Sequence, residues 1–135
     1  MKAITVIQPF AELIARGDKR IENRVWATSY RGPLAIHAGK SQSYNGDKVF
    51  DLAGRYGLER MAMSFGAIIA VAKLVDCVKL DDMGVAPRWA SEKYPWMHGH
   101  EHTEGPFCFV LDAVTRLDKP IFVSGQRKLW DFNGL

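Results

Sequence analysis

The sequence predicts an α+β fold: a small mixed or antiparallel β-barrel flanked by two to three helices. Three observations lead there. Five or six runs rich in branched and aromatic residues read as strands, and only two or three stretches carry helical spacing. The two kinds do not alternate as a βαβ architecture would require. With 135 residues, 47% hydrophobic and 24% charged, the chain suits one domain over 1–135 with a real core, and disorder is not the default.

Lys2 to Ile7 opens the chain as a strand. Pro9 suits the start of a helix, where its missing N–H costs nothing, and Phe10, Leu13 and Ile14 form one apolar stripe. Gly17 is the natural terminator of that helix. Ile21 to Trp26 reads as the second strand. Tyr30-Arg31-Gly32-Pro33 reads as a turn and Leu34 to Ala38 as the third strand. In that strand Ala35, His37 and Gly39 share the face opposite Leu34, Ile36 and Ala38. Asn45-Gly46-Asp47 caps a helix predicted from Lys48 to Tyr56, and Phe65 to Leu80 reads as a long central strand. From Asp81 to Gly105 prolines, tryptophans and histidines break every period, as in a functional or mobile loop. Phe107 to Leu117 and a short Pro120–Val123 segment complete the predicted strands.

Several function classes drop out. The longest apolar run, Ala67 to Ala72, ends at Lys73 and is too short to span a bilayer. The N-terminus lacks the apolar core and cleavage site of a signal peptide, so a cytoplasmic location without a membrane partner is expected. Cys77 and Cys108 lie in apolar runs that favour buried, reduced thiols, and no Cys-x-x-Cys pair supports a zinc ribbon. No P-loop, dinucleotide glycine pattern or serine–histidine–acid order is present, so neither a cofactor nor a designed metal site is expected. His98, His100 and His102 would project to one side of an extended segment, which suits adventitious metal binding at most. The net charge of +3 is modest, but residues 1–40 hold seven Lys/Arg against three Asp/Glu. The positive field therefore belongs to the first third of the chain.

That third contains Gly17-Asp18-Lys19-Arg20-Ile21-Glu22-Asn23-Arg24. Strand alternation from Ile21 places Glu22, Arg24 and Trp26 on one face, with Ile21 and Val25 packing inward. A carboxylate, a guanidinium and an indole with Lys19 at their rim suit a planar polar ligand. The bland alternative is a surface ladder in which Glu22 pairs with Arg24 or Arg20.

In this order the chain resembles the ASCH family, whose fold is similar to the PUA domain of RNA-modifying proteins. Ile7 to Ile14 looks like the family's opening strand-to-helix, and Gly17 to Arg24 matches its G-x-K-x-x-E-x-R signature at every fixed position. Tyr30 to Ala38 looks like its Arg-Gly turn and strand, Gly105 to Leu111 its late strand, and Lys128-Leu129-Trp130 its ending. The resemblance covers nearly the whole chain. It implies a PUA-like barrel with a basic cleft at the signature, and it implies binding of RNA or a modified nucleotide. Some small ASCH-like proteins are amidohydrolases of acetylated cytidine that use a Lys-x-x-Thr pair, and a few are described as ribonucleases. Here Lys19 matches, but Glu22 stands at the threonine position, which argues against direct transfer of the threonine-nucleophile mechanism.

The candidate site residues follow. Lys19, Glu22 and His37 are the candidate catalytic set, with Lys19 or His37 as base and Glu22 moving a proton or positioning water. Gln8, Asn23, Arg24, Trp26 and Lys40 are the candidate ligand contacts. Arg24 and Lys40 would meet carbonyl or phosphate, Asn23 a base edge, and Trp26 would offer a stacking platform. Asp76 would be of interest as an acid if burial raised its pKa. Two functions stand side by side: an RNA- or nucleotide-binding module, and a small hydrolase acting on RNA or a modified nucleoside such as N4-acylcytidine. A protein partner docking on the aromatic 88–104 segment is a third.

Overall fold

The computed structural model describes residues 1–42, 51, 54–59 and 62–135. Its elements are β1 (Lys2–Gln8), α1 (Phe10–Arg16), β2 (Ile21–Arg24), β3 (Gly32–Gln42), β4 (Ala67–Lys79), α2 (Arg88–Lys93), β5 (Phe107–Phe122) and β6 (Leu129–Asp131). The strands form one sheet in the order β2-β5-β4-β3-β1-β6. It is mixed: β1 runs parallel to β3 and antiparallel to β6, and β2 is antiparallel to β5. The α+β class and mixed sheet are as expected. The ladder that would close a barrel is not among the pairings of the described residues.

The chain divides into two compact units, and β4 and β5 contribute to both. The first comprises residues 1–18, 33–72 and 114–135. Its core packs Ala3, Ala35, Ile68, Trp130 and Phe132 under Leu117, Ile121 and Val123. β3 lies between β4 and β1, and Leu34 through Gly39 are all buried, so neither face of this strand is open. The sequence alternation had left that second face undecided. α1 stops where Gly17 takes a left-handed φ of 87° and donates its N–H to Ile14 O at 3.0 Å.

The second unit comprises residues 19–32 and 73–113. Its core is Ile21, Val78, Leu80, Ala86, Ala90, Met97, Cys108 and Val110, with Val75, Tyr94 and Trp96 packed against it. Two expectations change here. The 81–105 segment contains α2, which buries Ala90, so it is folded against this core instead of hanging as a loop. The two late strands are one: β5 continues through Pro120, where the backbone needs no donor on the exposed side of its burial pattern. The helix predicted for Lys48–Tyr56 lies largely outside the described residues.

Candidate functional site

The residues singled out from the sequence fall in both units. Lys19, Glu22, Asn23, Arg24 and Trp26 belong to the second, and Gln8, His37 and Lys40 to the first.

In the second unit the β2–β5 ladder sets Glu22 opposite Phe109 and Arg24 opposite Phe107. Residues two apart share a strand face, so the Arg24 guanidinium reaches Glu22 Oε2 from Nη2 at 2.7 Å and from Nε at 3.1 Å. Glu22 Oε1 faces Lys19 Nζ at 3.7 Å. Lys19 and Glu22 are only 4% and 7% exposed. Taking each such ion out of water costs several kcal/mol, which only mutual attraction and hydrogen bonds offset. Burial holds the Lys19 ammonium below the usual lysine range, against the upward pull of Glu22 and Glu104.

Trp26 lies beyond the end of β2, with its ring edge-on to Phe109 and centroids 5.1 Å apart. Val25, expected to pack inward, is 82% exposed, because the strand and its alternation end at Arg24.

The side chain of Asn23 ties β2 to the end of the 94–105 segment. Its Nδ2 donates to His102 O at 2.8 Å. Its Oδ1 accepts the amides of Glu104 at 3.0 Å and Gly105 at 2.8 Å, so the amide expected to read a base edge is engaged with backbone. Arg20 stacks its guanidinium 3.8 Å from the centre of the Trp96 ring. The Arg20 amide donates to His100 Nε2 at 3.0 Å. A backbone N–H can only donate, so Nε2 carries the lone pair and the neutral ring keeps its proton on Nδ1. Burial, reinforced by His102, Lys19 and Arg20, pulls the His100 pKa down to about 4.

The three alternate histidines do not converge. His98 Nε2 shares a hydrogen bond with Ser91 Oγ at 2.9 Å, while His100 turns Nε2 to the Arg20 amide and packs its ring edge-on to His102 with centroids 5.3 Å apart. Among the described residues no group of three or more His, Cys, Asp or Glu is arranged to hold a metal ion.

Asp76 does not have the raised pKa that would suit an acid. Burial alone would raise it, but the Tyr94 hydroxyl at 2.7 Å, Lys93 at 3.1 Å and Arg31 at 3.8 Å together hold its carboxyl below the usual range. The Cys108 thiol is pushed up to about 11 by burial, which keeps it protonated and inert at neutral pH.

In the first unit the parallel register sets Thr5 beside His37. His37 Nε2 donates to Val123 O at 2.7 Å, so its Nδ1 accepts from the Thr5 hydroxyl at 3.1 Å. Thr5 in turn accepts the Trp130 indole N–H at 3.3 Å. Burial lowers the His37 pKa, against the Val123 bond and with the help of Lys40. The ring is 2% exposed and both its nitrogens are engaged. Gln8 is equally committed: Oε1 accepts the Glu12 amide at 2.9 Å in the first turn of α1, and Nε2 donates to Ser64 O at 2.9 Å. It caps a helix whose N-cap position, Pro9, offers no side-chain cap. Lys40 is exposed, and its stem lies over Gly66, where an added Cβ would meet Lys40 Cγ at 3.1 Å.

The residues that local patterns missed are Arg20, His100 and Glu104. Their partners lie about 80 positions away along the chain, and no spacing rule reports a contact of that kind.

The ASCH domain family matches residues 4–106, a span that includes the whole Gly17–Arg24 signature. The chain belongs to the ASCH domain family. Among known proteins this ASCH chain is similar to human activating signal cointegrator 1, with 29% identity over 128 residues, and to the mouse protein of that name, with 30% over 129 residues. Each match covers 94% of this chain but 21% of the relative, so the ASCH chain spans about a fifth of their length. The crystal structure of ASCH from Zymomonas mobilis superposes with a TM-score of 0.56 at 14% identity, covering 98% of this chain and 87% of that one. That likeness establishes the ASCH fold. In addition, no helix among the described residues is long and apolar enough to cross a membrane.

Proposed function

We propose that this ASCH domain recognises RNA or a modified nucleotide through the G-x-K-x-x-E-x-R segment. One observation carries the reading: the family signature encloses three charges, Lys19, Glu22 and Arg24, in a sheltered cluster with contacts of 3.7 and 2.7 Å. Such a cluster contributes little stability beyond what an apolar replacement would provide, and it fixes a guanidinium donor beside a buried carboxylate. Arg24, the most exposed of the three, is the donor to a base carbonyl or phosphate, and half-buried Trp26 offers its ring to a base. Lys40, exposed in its own unit, is proposed as a phosphate contact. Gln8 and His37 have no part in this reading, because every polar side-chain atom of each is hydrogen-bonded within its unit.

The test is calorimetric binding of a mixed RNA and of free nucleosides, N4-acetylcytidine included, to the wild type and to Arg24→Gln over a salt series. Binding lost in Arg24→Gln supports the reading. A steep salt slope identifies an RNA backbone held at several phosphates, and a flat one a nucleoside. No binding by the wild type overturns it.

The sheltered Lys19 beside Glu22, with its pKa lowered by burial, favours a second reading, a hydrolase in which Lys19 acts as base toward an attacking water positioned by Glu22. Mass-spectrometric detection of product from the same panel, lost in Lys19→Ala, supports it; unchanged substrates contradict it.

A further inference from the structure

One arginine of the signature segment is held in place and left without an acceptor. The sequence offers Arg20 to Glu22, but both oxygens of that carboxylate are engaged elsewhere, one by Arg24 and the other facing Lys19. Arg20 instead lays its guanidinium carbon 3.8 Å from the centre of the Trp96 ring. Its main chain is fixed as well: the amide donates to His100 Nε2 at 3.0 Å, and the carbonyl accepts the Leu111 N–H at 2.9 Å. Trp96 is held in turn. It packs on the core of this unit, edge-on to His100 with centroids 5.4 Å apart and to Tyr94 at 5.9 Å. The Tyr94 hydroxyl donates to Asp76 at 2.7 Å. Arg20 is exposed, and among the described residues no carboxylate or other acceptor meets its guanidinium.

We infer that Arg20, steadied on Trp96, holds a phosphate of the ligand. This rests on the nucleotide reading of the same segment, and it adds a phosphate subsite at a position that the G-x-K-x-x-E-x-R signature leaves open. Stacking occupies the flat face of a guanidinium and leaves the N–H groups of its edge, a planar fork that fits two oxygens of one phosphate. A lysine at this position would offer a point charge on a flexible stem, with no plane for the indole to hold. Because Trp96, His100 and Leu111 fix the arginine before any ligand arrives, little ordering entropy opposes the contact. The phosphate can belong to an RNA strand or to a free nucleotide, and the two differ in salt dependence because a strand is held at several phosphates.

The test titrates a mixed RNA, adenosine 5′-monophosphate, adenosine and a polyglutamate peptide into the wild type, Arg20→Gln, Arg20→Lys and Trp96→Leu over a salt series. Thermal melts run alongside, and the two Arg20 variants should melt within a few degrees of the wild type. The wild type is expected to bind RNA or the monophosphate better than adenosine, and Arg20→Gln to lose about tenfold or more of that affinity. Adenosine itself should bind both proteins alike. If RNA is the ligand, the loss comes with a salt slope shallower by about 0.7, one phosphate contact fewer. Arg20→Lys, which keeps the charge without the fork, should keep the slope and lose part of the affinity. Folded Trp96→Leu should do the same, and full affinity there overturns the part assigned to the indole. Wild-type affinity and salt slope in Arg20→Gln overturn this inference and leave Arg24-dependent binding standing. A wild type that binds no RNA, nucleotide or nucleoside overturns both readings, and Arg20-dependent capture of the polyglutamate peptide in that case assigns the arginine to a carboxylate partner.

Discussion

The Lys19–Glu22–Arg24 cluster and the His37 cluster both bury polar side chains, but their hydrogen bonds close differently. Around His37 the sequence runs from the Trp130 indole to Thr5, from Thr5 to Nδ1, and from Nε2 to the Val123 carbonyl. Each group there is neutral, and the chain of bonds ends on the backbone. Around Glu22 the groups are charged, two cations meet one enclosed carboxylate, and the charge of the exposed Glu104 acts on Lys19 as well. Burial of a polar residue is therefore a poor guide to function by itself. Whether its capacity is used up within the fold is a better one.

Substituting Glu22 should break the comparison most severely. Glu22→Ala leaves Lys19 buried without its nearest carboxylate, and chemical denaturation should show a loss of about 3–5 kcal/mol. If Glu22→Ala is as stable as the wild type, the cluster is a surface ladder after all. Next comes His37→Leu, which keeps the volume but orphans the Val123 carbonyl and takes one partner from the Thr5 hydroxyl. A loss of about 2–3 kcal/mol is expected, with ligand affinity unchanged.

The third prediction concerns acid. His37 and His100 both have folded pKa values below the ordinary 6.5, so between those values the unfolded chain binds more protons than the folded one. Stability is then full above pH 6.5 and falls as pH drops, with His100 contributing down to about 4. Melting temperature against pH should slope accordingly, each histidine adding at most about 1.4 kcal/mol per pH unit, and His37→Leu should flatten the slope. The lowered carboxyl of Asp76 enters only below its ordinary 3.8. The smallest effect is Gln8→Leu, which uncaps α1 and should cost about 1 kcal/mol.

How much of this was legible beforehand follows from the range of the interactions. α1 and its Gly17 stop and the Glu22–Arg24 pairing rest on contacts within a few residues, and local periodicity reports those, as it reports a strand from Ile21 that the structure ends at Arg24. The outer part of β5 shows no alternation because both of its faces are largely exposed, so Pro120 read as a boundary. The 81–105 segment has no period of its own because its order comes from β2: Asn23 reaches partners 79 to 82 positions on. Gln8 and His37 carried the right chemistry for a site, but only the positions of Glu12, Ser64, Thr5 and Val123 show that it is spent on the fold.

The most direct test of the distinction measures stability and nucleoside or RNA affinity together in Arg24→Gln and His37→Leu. The account predicts that Arg24→Gln, which melts lower because Glu22 loses its closest partner, loses at least about tenfold in affinity where folded, while His37→Leu, where folded, binds as the wild type does. Full affinity in Arg24→Gln together with lost affinity in folded His37→Leu would contradict it, and would assign the site to the histidine.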